Sequence, residues 1–132
     1  MTDSDRRRRA LESFRKHGGR DFVFQRAAHD PPSVEEIALL GLDSTYGEAW
    51  CRPELDLRTR SFIVMTAVAV QGCEGQLYSH IAAAHNAGVT KDEVIEWLIQ
   101  LIGYIGVPLT NNALAVARAV WKDTAENKPM TG

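Results

Sequence analysis

An all-α chain of about six helices is predicted by three features of the sequence. Helix-start signals of the Ser/Thr-x-x-Glu kind recur, glycines and prolines stand where helices must stop, and apolar residues fall three and four apart between them. From about Asp3 to Lys16 a polar helix is expected, closed by Gly18 and Gly19. The segment RDFVFQRAAHDPPS then reads as a connector, because its prolines forbid helix continuation. Ser33, with Glu36 three residues on, forms a capping box for a second helix. Its apolar set, Ile37, Leu40 and Tyr46, runs on toward Trp50 until Pro53 breaks it. Asp56 caps a third helix through LRTRSFIVMTAVAVQ; the β-branched content makes a buried strand the local rival, and the length selects helix.

The fourth helix runs from about Cys73 to Asn86, where Gly88 supplies a left-handed stop. Thr90 and Glu93 form a second capping box, and Val94, Trp97, Leu98, Leu101 and Ile102 make one apolar stripe that predicts a buried fifth helix. VPLTNN resets the chain direction, and ALAVARAVW, with Pro108 near its start, is the last helix. The reading is one domain over residues 1–127, with residues 128–132 as a flexible tail.

Composition excludes several function classes. A chain of 132 residues with 45% hydrophobic and 24% charged residues matches one soluble globular domain, and its longest uncharged apolar run, Ser61 to Val70, is too short to span a bilayer. The opening MTDSDRRRRALESF lacks the apolar core of a secretory signal, and two cysteines do not make a disulfide framework, so a reducing cytoplasm is expected. Net charge −2 argues against a polyanion binder. The run Arg6 to Arg9 points all round a helix axis, which predicts a solvated or salt-bridged helix and not a nucleic-acid stripe. No glycine-rich phosphate loop and no spaced Cys/His set for a metal is present.

Chemistry concentrates in QGCEGQLYSHIAAAHNAG. Cys73, Gln76 and His80 share one helix side with Leu77, Ile81 and Ala84. Three polar groups on an apolar stripe point to a pocket wall, because each needs a partner once buried or costs about 1–3 kcal/mol. Cys73 and His80 lie about 10 Å apart along the axis, at about 1.5 Å per residue, so they form no thiolate–imidazole pair within the helix. Gln76 can hydrogen-bond His80 but neither titrates nor attacks. The helix N-terminus could activate Cys73, which Glu74 opposes, and His85 faces elsewhere as a polar residue near the helix end.

WCRPELDLRTRS from Trp50 to Ser61, the His80 helix with its following AGVTKDEVIE, and YIGVP from Tyr104 to Pro108 with Asn112–Ala113 after it together carry a family resemblance. In these motifs, and over nearly its whole length, the chain resembles the carboxymuconolactone decarboxylase family, a branch of the AhpD-like all-helical superfamily. The resemblance implies a small helical subunit assembled into a ring, a homotrimer or homohexamer, with active sites walled by neighbouring subunits. It implies a small-molecule substrate, no cofactor, and a place in the catabolism of aromatic compounds. In the decarboxylase branch, loss of CO₂ from a carboxylated unsaturated lactone leaves a dienolate that an acid protonates. By the resemblance His80 is the acid/base, Gln76 stands where the decarboxylases carry glutamate, and Arg52, Arg58 or Arg60 meets the substrate carboxylate or oxyanion. Trp50, Tyr104 and Asn112 complete the implied substrate-binding set. The peroxidase-reductase branch carries Cys-x-x-Cys-x-x-x-His; here Cys73 and His80 match, while Gln76 replaces the second cysteine, so the disulfide cannot form. The alternatives are thus a thiol antioxidant working through Cys73 alone, by a sulfenic acid and an external thiol, and a repurposed or non-catalytic small-molecule binder.

Overall fold

Every regular element among the described residues, 2–18 and 34–125 of a computed structural model, is helical. In chain order these are α1 (Asp3–Gly18), α2 (Val34–Thr45), a π-helical turn (Tyr46–Trp50), α3 (Leu57–Val70), α4 (Glu74–Asn86), α5 (Lys91–Ile105) and α6 (Val107–Ala125). The strand alternative for the third segment is therefore set aside. The capping serine Ser33, the connector at 20–33 and the tail at 128–132 lie outside the described residues. The chain divides after Leu55 into two compact units. No helix among the described residues is long and apolar enough to cross a membrane.

In the first unit the arginine run is distributed as its spacing predicts. Arg7 grips Asp43 of α2 with two hydrogen bonds of 2.5 and 2.8 Å, which hold the Asp43 carboxyl below its ordinary range. Arg6 pairs with Glu48 at 2.7 Å, Arg9 donates to the Gly47 carbonyl at 2.9 Å, and Arg8 reaches along its own helix to Glu12. Gly47 allows this approach: a Cβ there would sit 2.9 Å from Arg6 Cγ and 3.0 Å from the Arg6 carbonyl oxygen. The π-helical turn stacks Tyr46 on Trp50 at 5.4 Å, with the His17 ring 4.0 Å from Trp50. Burial pushes the Tyr46 phenol up to about 12. The apolar face expected at Ile37 and Leu40 is instead 72% and 68% exposed, and Leu42 is the buried residue of α2. The Arg7–Asp43 bridge turns the Leu42–Asp43 side of α2 toward α1, which carries Ile37 and Leu40 outward.

In the second unit Asp56 caps α3 by accepting from the Thr59 amide at 2.7 Å. Ser61 and Thr66 donate back to the Leu57 and Phe62 carbonyls, so these two hydroxyls are satisfied within the helix. Ser61, Met65 and Ala69 are its buried line. α3 and α4 end in the same six-to-one turn. Cys73 N–H donates to the Val68 carbonyl and Gly72 N–H to that of Ala69; Val89 N–H donates to the Ala84 carbonyl and Gly88 N–H to that of His85. Both turns need a left-handed residue, supplied by Gly72 at φ +70 and Gly88 at φ +93.

Thr90 and Glu93 form the expected reciprocal capping box of α5. Val94, Trp97, Leu98 and Leu101 are buried as predicted, whereas Ile102 is 46% exposed. Ile102 is turned about 100° from Leu101 and falls in line with Ile95 and Ile99 on the outward side. VPLTNN is not a connector: α6 begins at Val107, with Pro108 in its first turn and Thr110 donating through both amide and hydroxyl to the Gly106 carbonyl. The core packs Met65, Leu77, Ile81, Val94 and Val120 with essentially no exposed surface, and α4 lies between α3 and α6.

Candidate functional site

α4 buries Leu77, Ile81 and Ala82 to Ala84, and its alanines let α3 and α6 approach it on two sides. Rotation about this axis decides what the polar residues can do. Gln76 is exposed and not part of a buried stripe: it lies in the first turn of α4, whereas Ala83, seven residues on and on nearly the same side, is buried. His80 lies one turn beyond Leu77, to one side of the buried Leu77–Ile81 line, and is half-buried. Burial lowers its pKa from the ordinary 6.5, so the resting imidazole is neutral at pH 7.

Cys73 is the N-cap residue of α4, placed there by the Gly72 turn. Its thiol is 3.7 Å from Gln71 Oε1. A narrow cavity of about 10 Å³, room for about one water, lies between the end of α3, the start of α4 and the first turns of α6; Cys73, Leu77, Leu109 and Asn112 are among its walls. The fold thus brings Cys73 and Asn112 together from 39 positions apart in sequence. It leaves His80 about two turns along α4 from Cys73.

The arginines divide by surroundings. Arg58 donates to the Gly88 carbonyl at 2.6 Å and to the Glu93 carboxylate. Glu93 is held below its ordinary range first by the Thr90 amide and then by Arg58. Arg58 therefore braces the α4–α5 corner, at the opposite end of α3 from Cys73. Arg60 is half-buried on the same helix. In the first unit, Arg52 is exposed and 3.7 Å from Glu54, and Trp50 is packed against Tyr46 and His17. Tyr104, in the last turn of α5, is 84% exposed.

Three polar contacts were not read from the sequence. Tyr78 donates to Asp123 at 2.6 Å, which pushes the phenol pKa up. Trp121 Nε1 donates to His85 Nε2 at 2.9 Å, and His85 Nδ1 lies 2.6 Å from the Val89 carbonyl oxygen. The His85–Val89 spacing of four is a local signal, whereas Tyr78–Asp123 and His85–Trp121 join residues 45 and 36 positions apart and leave none. Among the described residues no group of three His, Cys, Asp or Glu side chains gathers to hold a metal ion.

Comparison with known proteins gives these residues a context. The carboxymuconolactone decarboxylase family pattern matches residues 42–119, more than half of the chain and including His80. The chain is 40% identical over 78 residues to a 4-carboxymuconolactone decarboxylase of Acinetobacter baylyi, covering 59% of this chain and 58% of that protein. It is 33% identical over 87 residues to an uncharacterized 15.0 kDa protein of Paracoccus denitrificans, covering 64% of this chain and 65% of the relative. It is 30% identical over 108 residues to a nitrosuccinic acid decarboxylase of Metarhizium robertsii, covering 82% of this chain and 76% of the relative. The chain thus spans less than two thirds of the first two of these proteins.

Proposed function

Since the chain belongs to the carboxymuconolactone decarboxylase family, we propose that it is a decarboxylase acting on a carboxylated unsaturated lactone or a related ring compound, with His80 carrying the proton. The observation that carries this reading is the half-buried imidazole of His80 on α4, within the segment that matches the family. Two of the relatives are named decarboxylases, which supports the reaction class. In the proposed step the bond to the carboxylate carbon breaks, CO₂ leaves, and its electron pair enters the ring as a dienolate. A substrate carboxylate beside His80 favours the imidazolium, which then delivers its proton to carbon, and solvent restores it. Arg60, half-buried on α3 and within the segment that matches the family, is the arginine we assign to the substrate's negative charge. The direct test is ¹³CO₂ release from carboxyl-labelled 4-carboxymuconolactone and related lactones; no release from any of them overturns the reading.

The lowered pKa of His80 sets the sign of a pH dependence. An acid must be protonated, and the protonated fraction falls as pH rises through a value below 6.5. The expected kcat/KM therefore declines from the acid side toward neutrality, while kcat holds to higher pH because bound carboxylate raises the imidazole pKa. A kcat/KM that instead climbs to a plateau at neutral pH identifies neutral His80 as the reactive form, a base.

We also propose that the subunit assembles with copies of itself. Ile95, Ile99 and Ile102 align on the outward side of α5, and Ile63 and Val70 on that of α3, which supports association through apolar faces. Light scattering after size exclusion is expected to give a trimer or hexamer mass, and a monomer at micromolar concentration overturns this.

A further inference from the structure

We propose that His85 and Trp121 form an acid-sensitive latch that holds the carboxy-terminal half of α6 to the α4–α5 corner while His85 is neutral, and lets go when its Nε2 is protonated. The indole Nε1–H can only donate, so His85 Nε2 must present a lone pair to it at 2.9 Å. The one proton of the neutral ring then sits on Nδ1 and is donated to the Val89 carbonyl at 2.6 Å. Both ring nitrogens are thereby committed in a single tautomer. Adding a proton at Nε2 sets N–H against N–H, and one hydrogen bond between α4 and α6 is lost.

The position of the pair gives that loss a direction. Val89 is the last residue of the six-to-one turn that ends α4, so the Nδ1 bond ties the ring to its own corner, while the Nε2 bond ties it to α6. None of the charged groups on the surrounding elements restores the lone pair that the indole needs from His85. Lys91 of α5 places its ammonium 5.8 Å from the centre of the Trp121 ring, a second cation at this corner. Arg58 of α3 and Glu93 of α5 are engaged with each other, and Asp123 of α6 accepts from Tyr78 of α4. Arg118 and Lys122 of α6 are exposed and add positive charge. An imidazolium here therefore loses its indole partner.

The test is ¹⁵N-edited NMR of the three indole Nε1–H groups between about pH 7.5 and pH 5, with Trp121 assigned through Trp121→Phe. Trp97, whose indole donates to the Thr66 hydroxyl, is the internal reference because its acceptor does not titrate. The Trp121 signal is expected to move with the His85 ring protons while Trp97 stays fixed. Amide protection in the last turns of α6 should fall by about tenfold as His85 protonates, the loss of one hydrogen bond. In His85→Gln, which accepts but does not titrate, both changes should disappear, and Trp121→Phe should remove the protection change even if the glutamine variant does not fold. A Trp121 signal that holds still while His85 titrates overturns the proposal, as does an unchanged acid response in these variants.

Discussion

Replacing His80 by alanine is expected to lower turnover by about 10²–10⁴-fold, the range for loss of a positioned acid or base. His80 is only half-buried and lies beside, not within, the Leu77–Ile81–Ala84 core line, so truncation removes the proton carrier without opening a core cavity. KM should change far less than kcat, and His80→Gln, which keeps the shape without a titrating proton, should be as slow as alanine. Equal rates for native and alanine proteins would make His80 a packing residue. Gln76→Glu gives a graded companion result: its side chain is exposed, and a carboxylate one turn from His80 contributes about 0.3–0.5 kcal/mol in that setting. The pH profile should therefore move up by only a few tenths of a unit.

Ile81→Ala is expected to cost about 2–5 kcal/mol, the largest stability effect among single truncations near the site. Ile81 has no exposed surface and packs in the cluster that joins α4 to its neighbours, so the cavity cannot be relieved from outside. With a domain of this size total stability is about 5–15 kcal/mol, and the melting temperature should fall by at least about 7 °C. Ile81→Val, losing one methylene, should cost about 0.5–1.5 kcal/mol. Calorimetry on the pair distinguishes packing from mutational side effects, and equal melting temperatures for alanine and native chains would contradict the burial described.

Most helix boundaries were legible because their signals are local, the start of α6 at Val107 being the exception. Asp56, the Thr90–Glu93 box and Gly88 each act within four residues, and each does what its spacing implies. Rotation was legible only in part. The spacing of Ile37 with Leu40, and of Ile102 with Leu98, marks an apolar line but does not say what lies against it. The Arg7–Asp43 bridge, 36 positions apart, settles the first case, and the packing of α5 through Leu98 and Leu101 settles the second. For Gln76 the stripe rule gives a side of the helix and not a depth: Gln76 lies in the first turn of α4, ahead of Ala82 to Ala84, where the helix is buried on every side. The family match extends over His80, Arg58, Arg60 and Tyr104 alike. Local spacing does not reveal that Arg58 is spent on bracing a corner.

The paired glycine turns carry a consequence for how this chain can vary. α4 is clamped at its entry by the turn through Gly72 and at its exit by the turn through Gly88, so neither end can absorb a change in residue number. An insertion or deletion between them would have to be taken up by the helix itself, at about 100° of rotation per residue. Everything downstream of the change would turn with it: a single extra residue before His80 would carry the imidazole a quarter-turn around the axis and drag the Ile81–Ala84 line off α3 and α6. Length, more than composition, is what this helix cannot alter, and natural variation here should appear as substitutions at Gly75, Gln76 and Ser79, in its more exposed first half, with thirteen helical residues kept between the two turns.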